Sequence, residues 1–535
     1  MMDVLLSVIP IVVLVWMMTK KKSVPSHIAL PLTALFVYII HIAYFKTDFI
    51  TVNAGIITGI LATLTPITVI AGAVLFNRFQ QLSGCQDVIN KWLTSITPNP
   101  IAQFMIIGFA FAFMIEGASG FGTPAAIAAP ILIGLGYKPI KVVIAVLAFN
   151  SVPVSFGAVG TPTWFGFGSL GLEDSMILEI GMKASIVHLT AGLVVPVMAL
   201  CFVFKFEEVR KNLIFIYISV ASCAVPMALL ATQNYEFPSL IGGAIGFLTS
   251  VFVAKKGIGL SKDTVNTMAK LSSTNEKVSG KDVFMALLPT MVLVLTLVVT
   301  RIQQLGIKGL LRTSETLFET NLGFAKLNIS KAFKVSLLEV FGTKEKEAYE
   351  LLYAPALIPF FFVVFVLLAF YPAMKGNVGR MMTDVLKQIK LPFFALLGGV
   401  IMVKFMLIGG DKAMVKIIGL ALADATGPYW TLFASYLGSI GAFFSGSNTI
   451  SNLIFGGVQQ SIAESTGLSV GTILALQSVG GAMGNMTCIN NIIAACTVSG
   501  ITNQEGYIMK RTAIPMITYG VIAAIVALVI FPILF

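Results

Sequence analysis

The sequence predicts an all-α polytopic membrane protein with about 12–14 transmembrane helices and two inverted repeats, each containing a re-entrant or broken-helix hairpin. Three observations predict it. The chain of 535 residues is 57% hydrophobic and 11% charged, whereas soluble domains carry about 25% charged residues. Its basic residues, for all the net charge of +11, sit in short clusters between apolar runs. That pattern fits membrane topology and excludes the single basic stripe of a nucleic-acid binder. Two apolar stretches, 117–136 and 446–466, are crowded with Gly, Pro, Ser and Asn where plain spans should run.

The elements follow in order. The opening "MMDVLLSVIPIVVLVWMMTKKK" lacks a basic start and a cleavage site, so it reads as a retained first span with Lys20, Lys21 and Lys22 cytoplasmic. Residues 1–82 hold N-terminal spans, 83–205 a first repeat with its tip near 117–124, and 206–300 middle spans with a cytoplasmic loop at 255–282. Residues 301–352 form a long loop, expected outside and built of amphipathic helices at the interface. Scaffold spans at 353–411, a second repeat at 412–510 with its tip near 445–452, and a last span at 511–535 complete the chain. The long loop carries many basic residues, but long loops obey the positive-inside rule poorly. The five cysteines show no paired spacing, and no metal site, cofactor motif or catalytic nucleophile cluster is evident. An enzyme is therefore not expected.

The repeat rests on ordered landmarks. "SGFGTP" at 119–124 parallels "SGSNTI" at 445–450, and "NSVPVSFGAVG" at 150–160 parallels "QSVGGAMGNMT" at 477–487. Spacing pairs Ser119 with Ser445, Thr123 with Thr449, Ser151 with Ser478 and Gly157 with Gly484. Chance matches among small residues are the competing reading. The basic clusters place the two copies in opposite orientations, as secondary transporters have them, with substrate near the midplane.

Irregular backbone at membrane depth must be buried in protein or line a wet cavity. Gly117, Gly120 and Gly122 permit tight turns, and Pro124 suits the first turn of a helix starting near Thr123. The amides of such a helix start, with its positive dipole end, favour an anion. The second tip offers Ser445, Ser447, Asn448 and Thr449, and Asn150, Ser151, Gln477 and Ser478 lie on the next helices. With Ser119, Gly120, Gly122 and Thr123 these are the candidate substrate-binding residues, interhelical hydrogen bonding being the structural alternative.

Intramembrane charges are weighed in the same way. Glu116 at the first tip is a candidate for the coupled proton, or for holding the tip amides. A carboxylate beside an anion site favours the protonatable role. Glu179 and Lys183 stand four residues apart and read as an ion pair. His188 is a second proton candidate, with simple helix packing as the alternative. Lys404 either snorkels or serves as a counter-ion.

At "EGASGFGTPAAIAAPILIGLGYKP", "FSGSNTISNLIFGGVQQSIAESTGLS", "QSVGGAMG" and "NNIIAACTVSGI" the chain resembles the L-lactate permease family over nearly its whole length. The resemblance implies a multi-pass carrier of a bacterial plasma (inner) membrane. It implies import of L-lactate and related 2-hydroxymonocarboxylates, such as D-lactate and glycolate, by proton symport, with elevator-like movement. The partners implied are that substrate, the proton and membrane lipid, with no nucleic acid. The oligomeric state is left open. Ser119 and Thr123 stand where the family often has alanines, so the departures fall at the proposed pocket. A sodium-coupled carrier of another small carboxylate is the alternative, and an anion channel a more distant one.

Overall fold

The computed structural model describes residues 2–20, 24–120, 123–261, 278–301, 305–354, 357–501 and 504–535. Helices dominate. In chain order they are α1 (Met2–Thr19), α2 (Ser26–Ala43), α3 (Phe49–Leu82), α4 (Cys85–Ser95), α5 (Pro100–Ser119), α6 (Thr123–Gly134) and α7 (Pro139–Phe149). Next come α8 (Gly157–Trp164), α9 (Asp174–Gly192), α10 (Val195–Val203), α11 (Leu213–Ala231), α12 (Pro238–Lys255) and α13 (Gly280–Arg301). After a small sheet follow α14 (Val363–Phe370), α15 (Val378–Leu407), α16 (Met414–Thr426), α17 (Ala434–Ser445), α18 (Asn448–Thr466), α19 (Val470–Gly484), α20 (Ile489–Val498) and α21 (Glu505–Ile525).

Among the described residues nine helices are long and apolar enough to cross a membrane, or ten if the bent pair Pro139–Phe149 and Val154–Leu170 is one span. Three shorter apolar helices, Met2–Met18, Leu357–Phe370 and Ile489–Val498, stand beside these without reaching that length. The all-α polytopic class therefore holds. The run read as one span at 140–160 is broken after Phe149 and bends by 64°.

The chain forms two compact units, one of residues 1–86 and 284–421, the other of 87–283 and 422–535. In the first, α15 packs on α2 and α3 through bare glycine backbone. A Cβ on Gly398 would stand 2.3 Å from the nitrogen of Pro31, so the helices approach closer than any other residue there permits. Asp48 caps α3 by accepting from the amide of Thr51 at 3.1 Å, which is how a short acid satisfies an orphan first-turn donor.

The amphipathic helices expected in the long loop are replaced, beyond the short Ile307–Arg312 helix, by a four-stranded antiparallel sheet. Its strands are β1 (Thr316–Asn321), β2 (Lys326–Ser330), β3 (Lys334–Leu338) and β4 (Glu347–Glu350), in that order. The reason lies in the period: apolar residues alternate singly, as in Leu327 and Ile329 between Lys326, Asn328 and Ser330. Cross-strand register puts Phe318, Ile329, Val335 and Tyr349 in one row. Tyr349 buries against Leu61 and Leu64 of α3 and donates to Thr68. Three basic residues of this loop are matched at close range: Lys326 with Glu339 at 2.8 Å, Lys331 with Glu315 at 2.6 Å, and Lys334 with Glu350 at 2.9 Å. Lys404 neither snorkels nor waits for substrate, because it pairs with Glu347 of β4 at 2.8 Å.

Candidate functional site

Both hairpins lie in the second unit. In the first, α5 starts at Pro100 with Asn99 accepting from the amides of Ile101 and Ala102. Its central turns, Phe104–Phe111, widen to a buried π-helix. It ends at Gly120, whose φ of 57° and ψ of −151° demand a residue without Cβ. Gly122 lies outside the described residues, as does the side chain of Thr123, whose backbone begins α6. The Ser119 hydroxyl donates to the carbonyl of Ile115 at 3.1 Å.

Glu116 is buried one turn before the tip. Its Oε2 accepts from Asn150 Nδ2 at 3.2 Å, and a Cβ on Gly157 would stand 2.3 Å from its Oε1. Beyond Asn150, which ends α7, the chain makes three consecutive left-handed residues: Ala158 (φ 44°, ψ 55°), Val159 (φ 56°, ψ 46°) and Gly160 (φ 69°, ψ 11°). This costs about 1–2 kcal/mol for a residue with a Cβ, and a β-branched residue there is an outlier. Thr161 Oγ1 donates to the carbonyl of Ala158 at 2.5 Å and Trp164 Nε1 to that of Val159 at 2.9 Å. Gly120 faces this turn, since a Cβ on it would meet the nitrogen of Ala158 at 3.1 Å. The break, the tip and Glu116 therefore form one place.

The second hairpin turns at Gly446, φ 72°. Ser447 caps α18 by accepting from the amide of Ile450 at 3.3 Å. Ser445 Oγ accepts from the amide of Ser447 at 3.2 Å, so both serines of the tip hold its backbone. Thr449 is buried, and Asn448 is buried with neither amide atom partnered. Gly446 faces Cys488, at the start of α20, with 3.3 Å from its Cβ position to Sγ.

The remaining candidates divide. Gln477 is tied into the hairpin: its Oε1 accepts from Gln459 Nε2 at 2.9 Å and its Nε2 donates to Ser451 Oγ at 3.0 Å. Gln459 in turn accepts from Trp430 Nε1 at 2.6 Å. The Ser151 hydroxyl, just past the end of α7, donates to the carbonyl of Ala148 in that helix's last turn at 2.7 Å. Ser478 donates to Ser155 Oγ at 2.9 Å, Ser155 meets His188 Nε2 at 2.7 Å, and His188 Nδ1 meets the Tyr519 hydroxyl at 2.5 Å. His188 is thus the middle of a buried polar chain and not a lone packing residue. Glu179 and Lys183 form the expected ion pair, 2.6 Å apart, with Lys183 also donating to Thr472 at 2.9 Å. Among the described residues no group of three or more His, Cys, Asp or Glu side chains is placed to hold a metal ion.

The spacing-based landmarks are corrected beyond the tips. Ser151 follows the end of α7, whereas Ser478 lies mid-way along α19, and Gly157 opens a short helix while Gly484 closes a long one. The cause is the second arm: α18 has 19 residues and α6 has 12. Sequence reasoning missed Ser155, Tyr519, Asn485 and the left-handed turn. The run "FGAVGTP", two glycines and a proline inside an apolar stretch, is the signal that pointed to that turn.

Broken helices with buried polar tips at membrane depth are features of a multi-pass membrane transport protein. A family model for L-lactate permeases matches residues 3–534. A Haemophilus influenzae (strain Rd) protein provisionally named an L-lactate permease is 53% identical over 536 residues, with 100% of both chains covered. The L-lactate permease of Escherichia coli K12 is 24% identical, covering 98% of this chain and 96% of its own. A glycolate permease of the same strain is 25% identical, covering 94% and 91%. The chain belongs to the L-lactate permease family, and it is a multi-pass protein of a bacterial plasma membrane.

Proposed function

We infer that this protein is a secondary active transporter that imports L-lactate, with D-lactate and glycolate, by proton symport and alternating access. The observation that carries the reading is the pairing of two polar hairpin tips with a buried acid at the first of them, Glu116, inside a single compact unit. The names of the relatives supply the substrate. The start of α18, with Asn448 beside it, suits a carboxylate. Glu116 beside the first tip would take the proton, with His188, hydrogen-bonded into the polar chain, as the second candidate. Moving an anion together with a proton is electroneutral, so a pH gradient drives it without opposition from the membrane potential.

Inverted repeats at 83–205 and 412–510 are supported by an exchange of partners. The second arm of each hairpin touches the short helix of the other half, α6 against α20 and α18 against α8, and Asn452 Nδ2 donates to the carbonyl of Pro162 at 3.0 Å. In this reading the unit bearing both tips is the moving body, and the other is the scaffold.

One observation favours sodium coupling instead. Asn150 Oδ1 is buried without a donor beside the Glu116 carboxylate, a pair of oxygens that suits a small cation. Radiolabelled lactate uptake into proteoliposomes decides between the two. Uptake driven by an inward proton gradient at equal sodium is expected, whereas uptake driven only by a sodium gradient would overturn the proton reading. Flux far above carrier rates would indicate a channel.

A further inference from the structure

Both halves of the tip-bearing unit follow one order of elements: helix, left-handed glycine, helix, helix, asparagine, short helix. The asparagine is Asn150 after α7 and Asn485 after α19. Each presents a buried side-chain oxygen for which the structure holds no donor. Asn448, 2% exposed in the first turn of α18, adds a carboxamide with neither atom partnered.

Asn448 and Asn485 share one surface of α19. A Cβ on Gly481 would stand 1.9 Å from Asn448 Oδ1, so that carboxamide rests on bare helix backbone. Asn485 is four residues further, one turn along the same face. Buried carboxamides without partners are costly, and a ligand that supplies the missing groups removes the cost. The groups left over are one donor, Asn448 Nδ2, and two acceptors, Asn448 Oδ1 and Asn485 Oδ1. A simple carboxylate offers acceptors only. A 2-hydroxycarboxylate offers acceptors and a hydroxyl donor.

We propose that Asn448 and Asn485 form a subsite that reads the α-hydroxyl of a 2-hydroxycarboxylate: Asn448 Nδ2 donates to the carboxylate, and the hydroxyl donates to Asn485 Oδ1. The proposal rests on the carboxylate-transport reading above and names the residues that select among carboxylates. A site built to hydrogen-bond a hydroxyl discriminates strongly against the analogue lacking it.

The test is competition of labelled lactate uptake in proteoliposomes by unlabelled lactate, propionate (no hydroxyl) and pyruvate (a carbonyl in its place). The natural chain is expected to prefer lactate over both. Asn485→Leu is expected to lose at least tenfold of the lactate-over-propionate preference, and Asn448→Leu to weaken both ligands. Asn485→Ser keeps a shortened acceptor, so it is expected to fall between the two, and it carries the test if the leucine variant does not assemble. An unchanged preference in the Asn485 variants, or an equal fall for all three ligands, overturns the subsite. Absence of lactate uptake in the natural chain overturns the transport reading on which it rests.

Discussion

The ion pair between Glu179 and Lys183 is expected to respond unequally to removal of its two members. Lys183 is the buried partner, 6% exposed in its side chain against 35% for Glu179. Its ammonium lies 2.6 Å from Glu179 Oε1, 2.9 Å from Thr472 Oγ1 and 5.1 Å from the ring centre of Phe535. Glu179 also lies against the start of α19, where a Cβ on Gly471 would stand 2.4 Å from its Oε1 and where a helix dipole favours negative charge. Glu179→Gln removes the counter-charge and leaves a buried ammonium with neutral partners only: the new carboxamide oxygen, the hydroxyls of Thr472 and Ser469, and the rings of Phe531 and Phe535. Removing one partner of a buried pair costs about 3–5 kcal/mol, and the remaining Thr472 contact puts the expectation at the lower end, about 3 kcal/mol. Lys183→Met fills the same volume and leaves a carboxylate that still reaches solvent, at a cost of about 1 kcal/mol or less. The double variant should recover most of the Glu179→Gln loss. Thermal unfolding of the protein in lipid nanodiscs gives the order. The reasoning is refuted if Lys183→Met destabilises as much as Glu179→Gln, or if the two losses simply add.

Further outcomes are expected. Gly480→Ala would put its Cβ 1.9 Å from the carbonyl oxygen of Ser435, forcing α17 and α19 apart at a cost of about 1–3 kcal/mol. Gly134→Ala, with nothing within 4 Å, should raise stability by about 0.5–1 kcal/mol. The same unfolding assay reads both. Ser155→Ala strips His188 Nε2 and Ser478 of a partner and is expected to cost about 1–3 kcal/mol. Ser151→Ala loses only a local bond to the last turn of α7, so its midpoint should barely move. Finally, cysteines placed at 119 and 447 should be protected from thiol reagents by lactate, and labelling indifferent to substrate would count against the two-tip site.

Composition and apolar run lengths were enough for the membrane class, because lipid imposes its length and polarity on every span. The tips were legible for a related reason. Glycine, proline and hydroxyl residues at membrane depth have few structural uses, and 117–124 and 445–450 turned out to be the breaks between α5 and α6 and between α17 and α18. What escaped was set by three-dimensional contact. The role of Ser155 depends on His188, Ser478 and Tyr519, which lie up to 364 positions away in the chain. Gln477 has its amide engaged by Gln459 and Ser451, partners 18 and 26 positions away that the spacing alone does not indicate. The sheet at 316–350 was misread because its strands are short and its single alternations were taken for helix periodicity. The landmark spacing does not carry past the tips because arm length is not fixed by the tip: Asn150 follows α7 and Asn485 follows α19, at different distances from their glycines.

The role of Glu116 is tested most directly by comparing two lactate fluxes in proteoliposomes containing the natural chain or Glu116→Gln. One flux is accumulation driven by an inward proton gradient, and the other is exchange of labelled for unlabelled lactate at equal pH on both sides. Glu116→Gln is expected to keep exchange and lose accumulation, since the amide fills the space beside Asn150 but carries no titratable proton. Full gradient-driven accumulation in that variant would contradict Glu116 as the site of proton coupling.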